Sequence, residues 1–197
     1  EVERIKLLAD DNALWDDAAR AVYGQPDQAF LWTSWGASTG ESANYSLAAV
    51  IDHDGRTLMA FEGGRAINTD MVKTYGAPLR ELLRQASATK AAAGGVIRAN
   101  DGLMAMGVEE IMPISRDLET LVPAEGPYRL VFGRPLTDTL VASISKRMNL
   151  SDLRLASSDA AGEDWPTVSD PTGHDIAKLV WTPSEPGARA LQAAQPK

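Results

Sequence analysis

Asp52-His53-Asp54 places an imidazole between two carboxylates, the chain's nearest approach to a metal or acid–base cluster. A calcium loop of EF-hand type needs five or six oxygen ligands closed by a glutamate, and this segment does not supply them. Asp-x-Asp-Gly is also what a tight hairpin turn asks for, and turn chemistry is the favoured reading. His53 and His174 are the only histidines, too few for a three-ligand zinc centre unless a carboxylate joins them. There are no cysteines, which removes disulfides, thiolate nucleophiles and thiolate metal sites together. Gly36-Ala-Ser38-Thr-Gly40 matches G-x-S-x-G in letters. That nucleophile elbow requires a strand before it and a helix after it, whereas here a helix precedes and a polar loop follows. Phosphate-binding loops, dinucleotide fingerprints and H-E-x-x-H are absent from the sequence. The expectation is a domain without catalysis, metal or cofactor, a serine hydrolase using Ser38 being the enzymatic alternative.

Residues suited to binding are more numerous. Trp32, Trp35 and Tyr45 crowd one segment. They form either an aromatic cage for an amine or the packing of a short helix on a sheet, the second being favoured. Met104 and Met106 alternate with Leu103, Ala105 and Gly107, so a strand there turns both thioethers to one face. Arg134 offers a fork to a carboxylate ligand, with a structural salt bridge to Asp16 or Glu109 as its competitor. Asn12, Trp15 and Asp16 share one side of the first predicted helix. They either serve a ligand or signalling contact, or are core anchor and backbone-satisfied polar groups, which is favoured.

The elements that must position these residues follow from periodicity. Ile5, Leu8, Asn12, Trp15, Ala19 and Val22 recur at helical spacing, predicting one helix over Val2–Tyr23. A second apolar line, Leu7, Leu14, Ala18 and Ala21, lies about a third of a turn away at the ~3.6-residue period. One line can pack on the domain and the other on a second copy, so a homodimer through this helix is expected. A short helix (Gln28–Trp35) and a loop (Gly36–Asn44) come next. A hairpin (Tyr45–Ile51, Arg56–Phe61) then turns at Asp52-His-Asp-Gly55, with Gly63-Gly64 ending its second strand. A helix from Thr69 to Lys90, kinked at Pro78, precedes strands at Gly94–Ala99, Leu103–Ser115 and Tyr128–Leu136. Thr137 or Asp138 caps a helix to Met148, and a short strand (Leu153–Leu155) leads to an irregular acidic stretch, Ser158–Gly173. A last strand, Ile176–Thr182, precedes a tail that turns helical over Ala188–Ala194. Antiparallel strands with segregated helices make an α+β domain. Of 197 residues, 44% are hydrophobic and 23% charged, a globular composition, and no window approaches a membrane span. A net charge of −8 argues against nucleic acid as a partner. The start on a charged helical register without Met reads as an excised piece of a longer protein.

Four landmarks fall in one order: Asn12-x-x-Trp15-Asp16-Asp17-Ala18, Asp52-x-Asp54-Gly55, Val131-Phe-Gly-Arg-Pro-Leu136, and Trp181-x-Pro-x-x-Pro186-Gly187. Together they resemble the CHASE family of extracellular sensor domains, in its fourth subclass. The resemblance implies a PAS- or Cache-like antiparallel sheet of about five strands behind a long N-terminal helix. It divides the chain into a signalling helix (1–24), a core (25–182) and a segment leading toward a membrane helix (183–197), all one periplasmic domain. It further implies tethering by flanking membrane spans and an unidentified small-molecule ligand. The implied cytoplasmic output is a diguanylate cyclase, a cyclic-diguanylate phosphodiesterase or a histidine kinase. A stand-alone solute-binding protein of the same fold is the alternative.

Overall fold

The computed structural model describes residues 1–24, 26–41, 44–160 and 165–182. The expected helical tail over Ala188–Ala194 lies outside them. The chain divides into two compact units, Glu1–Pro135 with Ser169–His174, and Leu136–Val168 with Asp175–Lys197.

The first unit is built on a six-stranded antiparallel sheet in the order β3-β2-β1-β6-β5-β4. Its strands are β1 (Leu47–Ile51), β2 (Thr57–Glu62), β3 (Arg65–Ile67), β4 (Ala93–Ala99), β5 (Gly102–Glu110) and β6 (Arg129–Pro135). Helices lie on its two faces, so the fold is α+β and PAS-like, as the sequence predicts. The β1–β2 turn forms as expected: Asp52 Oδ1 accepts from the amides of Asp54 and Arg56, and Gly55 has φ +87°. Gly63-Gly64 does not end the sheet. Both glycines have positive φ (+54° and +75°), the pattern of a two-residue hairpin, and β3 follows at once.

The helix expected over Val2–Tyr23 is two helices, α1 (Val2–Ala13) and α2 (Asp16–Tyr23). The break falls at Leu14-Trp15 because the chain there pairs with the segment after β5. Met112 N donates to Ala13 O at 3.2 Å, and Leu14 bridges Met112 in parallel. The buried face of α1 is Ile5, Ala9 and Ala13, not the line through Leu8 and Asn12. Glycines are required on the strands beneath it because α1 rests directly on them. A Cβ on Gly107 would sit 2.4 Å from Ile5 O, and one on Gly94 would sit 2.4 Å from Lys6 Cγ.

The opposite face carries α5 (Met71–Thr89). Its N-cap is Asp70, whose carboxylate accepts from Lys73 N, and it stops at Lys90 in the left-handed conformation. The kink lies at Gly76 (φ +63°, ψ −141°), two residues before Pro78, since the proline restricts the backbone ahead of it and glycine absorbs the bend. Leu79, Leu82 and Ala86 pack with Leu47, Ala49, Ile51, Ile97, Met106, Val108 and Val131 into the main core.

Between them run α3 (Gln28–Leu31), a wide helical turn (Trp32–Gly36) and α4 (Ser38–Glu41), where the sequence predicts a loop from Gly36. The extended run expected to Ser115 stops at Glu110, the end of β5, and a 3-10 turn (Arg116–Leu121) follows a few residues on. The second unit contains α6 (Asp138–Met148), β7 (Ser151–Ala156), β8 (Thr167–Ser169) and β9 (Asp175–Thr182). The last strand therefore joins a separate three-stranded sheet, β7-β9-β8, rather than the main one. Ser169, which closes β8, clusters with the first unit. No helix among the described residues is long and apolar enough to cross a membrane.

Candidate functional site

On the face occupied by α5, a cavity of about 240 Å³ opens between that helix, the ends of β1 and β2, and the β4–β5 turn. Its apolar wall is Leu47, Ile67, Met71 and Met104, and its polar groups are Glu62, Thr69, Thr74, Tyr75 and Asp101. Strand alternation explains the wall. In β5 the even-numbered residues face α5, and Met106, fully buried, seals the core beside Met104. Burial raises the Tyr75 hydroxyl above the usual tyrosine range, and the Glu62 carboxylate adds to it, so Tyr75 stays a neutral donor and acceptor. The lining holds two carboxylates and no cation. This composition suits a neutral or amine-bearing ligand better than an anion.

The other residues expected at a site lie elsewhere. Asn12 donates to Leu8 O at 2.9 Å, within its own helix. Trp15 is 37% exposed, with its ring 5.4 Å from Phe30. The Asp16 carboxylate accepts from Ile114 N (2.8 Å), Ser115 N (2.9 Å) and the Ser115 hydroxyl. Those bonds, the Ser115 hydroxyl first, lower its pKa, and Asp16 clamps the segment after β5 to the start of α2. Trp32 meets Phe61 edge-on at 5.7 Å, Tyr45 stacks on Phe132 at 4.1 Å, and Trp35 is buried. Trp32 and Tyr45 thus pack against different rings, and the three share no cavity among those described. Arg134 lies 3.1 Å from Glu1, rather than pairing with Asp16 or Glu109, and so ties β6 to the head of α1.

Ser38 opens α4 after a helical turn, not after a strand, so the elbow geometry is absent. Thr39 beside it bonds Gly36 O and accepts from Gly64 N. His53 stacks on Tyr128 (6.2 Å), while His174 belongs to an Asp170–Thr172 turn. Among the described residues no three His, Cys, Asp or Glu side chains are placed to hold a metal.

The sequence marks Glu62, Thr69, Thr74 and Tyr75 by no motif, and Tyr75 recurs with Met71, Val72, Leu79 and Leu82 on one side of the helix expected there. A polar hydroxyl on that side was the available signal. Nor does a motif mark Tyr23, whose hydroxyl donates to Ile111 O (2.5 Å) and accepts from Tyr128 N (2.9 Å). Burial pushes this hydroxyl well above the ordinary range and fixes α2 to the β5–β6 connection.

Comparison with curated proteins gave no match. Among solved structures, the chain is similar to two crystal structures of the Vibrio cholerae LuxQ periplasmic domain, one with selenomethionine. Each is 14% identical with a TM-score of 0.48, covering 92% of this chain and 91% or 93% of the other. The profile of the CHASE4 domain matches residues 1–156, the whole six-stranded sheet with α1 to α6 and β7. The chain belongs to the CHASE4 domain family, and is an extracytoplasmic sensor domain.

Proposed function

We propose that this domain senses a small neutral or amine-bearing molecule in the cavity between α5 and the sheet, and reports it through α1. The observation that carries this reading is the cavity itself, with apolar walls at Leu47, Met71 and Met104 and the Tyr75 hydroxyl and Glu62 beside them. Filling it would push α5 and the sheet apart, and the far face of that sheet supports α1. α1 has little freedom to accommodate such a shift, because its backbone sits on Gly107. A ligand that prefers one arrangement of sheet and helix would therefore redistribute two α1 positions.

The same reading places α1 next to a membrane span and a second copy of the domain, with a cyclase, phosphodiesterase or histidine kinase as cytoplasmic output. Leu7 (61% exposed) and Leu14 (41% exposed) support the dimer, being an apolar pair that the sheet leaves uncovered. A thermal-shift screen of small amines, alcohols and carboxylates tests the sensing site. A ligand at a hundred times its dissociation constant should add about 2.7 kcal/mol of stability. Tyr75→Phe and Met104→Phe should each reduce that gain. A ligand whose effect neither substitution alters would place sensing elsewhere.

A further inference from the structure

We infer a second binding site, for a small, multiply charged anion, in a groove between α5 and the β1–β2 turn. This site adjoins the cavity proposed for sensing at Thr69 but shares none of its apolar wall and does not depend on it. Two adjoining hollows of about 630 and 550 Å³ share Asp54, Gly55, Val72 and Arg80. Their cations are Arg56, Lys73, Arg80, Arg84 and Arg129, a concentration of positive charge in a chain whose net charge is −8.

The acids in the same lining are Asp52, Asp54 and Asp70, and each is already engaged. Asp52 accepts two turn amides, Asp70 caps α5, and Asp54 lies 3.5 Å from Arg56 and 3.6 Å from His53. Arg84 is held by Glu81 through contacts of 2.8 and 2.6 Å. Among the described residues Lys73, Arg80 and Arg129 have no ion-pair partner.

Arg129 is the most informative of the three. It donates to two neutral acceptors, Asp52 O at 3.2 Å and Ser87 Oγ at 2.8 Å. A guanidinium has five N–H donors, so these bonds orient the fork and leave donors unused. Its Nε and the neighbouring His53 Nδ1 are sealed from solvent without a hydrogen-bond partner. An oriented, uncompensated guanidinium in the hollow that Arg80 also lines, with Lys73 in the adjoining one, suits paired oxyanions, as in a polycarboxylate or a phosphate group. Lys73 precedes the Gly76 kink of α5 and Arg80 follows it, so one anion would bridge the two halves of the helix.

The test is calorimetric titration of the whole chain with citrate and with inorganic phosphate at constant ionic strength. Wild type is compared with the Lys73→Ala/Arg80→Ala double variant. Both residues are exposed and outside the core, so the variant should melt at the wild-type temperature without anion. Saturable millimolar or tighter binding, weakened at least about tenfold in the variant, supports the site. Citrate alone identifies a polycarboxylate, phosphate alone a phosphate ester, and both the shared chemistry. No saturable binding of either, or binding that the double variant leaves unchanged, overturns it.

Discussion

Replacing Gly107 by alanine tests the contact on which any signal through α1 depends. The added Cβ would stand 2.4 Å from Ile5 O, 2.7 Å from Ile5 C and 3.0 Å from Lys6 N. An unstrained carbon–oxygen contact is about 3.3–3.6 Å, so the helix must retreat by about 1 Å. The obstruction is backbone on both sides, and no flexible side chain can swing away. Ile5, Ala9 and Ala13 would lose close contact with β5 together, and overpacking of this kind costs about 1–3 kcal/mol. For a chain of this size, 2 kcal/mol lowers the melting temperature by about 4–8 °C. Hydrogen exchange should then show faster opening of α1, with α5 and the β4–β5 ladder still protected. Gly95→Ala is the control, because its Cβ meets Pro171 Cγ at 2.7 Å on the other face and leaves α1 untouched. A Gly107→Ala protein with wild-type melting and wild-type protection in α1 would refute the claim that the helix rests on bare strand backbone.

Two further substitutions probe buried and clamping carboxylates. Asp16→Asn should destabilise the domain and free the segment at Ile114–Ser115. The bonds to Asp16 lower its folded pKa, so the stability they add is present above the unfolded value of about 3.9 and lost as pH falls through the lower folded pKa. The gap between wild type and variant in urea unfolding should therefore narrow in acid, and a gap independent of pH would contradict the assignment. Glu109 behaves in the opposite sense. It is 3% exposed and burial raises its pKa, so the folded state holds its proton more tightly and loses stability as pH rises through that window. Glu109→Gln keeps an acceptor for the Glu110 amide, a 2.7 Å bond in the native chain, and should be more stable than wild type at neutral pH. Equal midpoints at pH 5 and pH 8 for both proteins would count against it.

Periodicity and turn chemistry alone specified most elements. The Asp52–Gly55 turn, the helix expected over Thr69–Lys90 and found over Met71–Thr89, the paired strands through Met104 and Phe132, and the alternation that puts both methionines on one face are local consequences of sequence. The family was legible too, in motifs that keep their order along the chain. What periodicity could not see was that neither predicted line packs as a whole, the buried face of α1 being Ile5, Ala9 and Ala13. Gly94 and Gly107, far away in sequence, let that side of the helix close on the strands, and the larger Leu7 is left outside. The break at Leu14 likewise depends on Met112, and the Asp16 clamp on Ser115, about a hundred residues on. The cavity and the cationic groove follow the same rule. Their walls come from β1, β2, α5, β5 and β6. The packing of α5 on the sheet brings Tyr75 beside Glu62 and Ser87 beside Arg129, and the pairing of β1 with β6 brings Arg129 to Asp52. Sequence determined what each segment could be. Tertiary structure decided which faces met, because close approach depends on the shape of both partners.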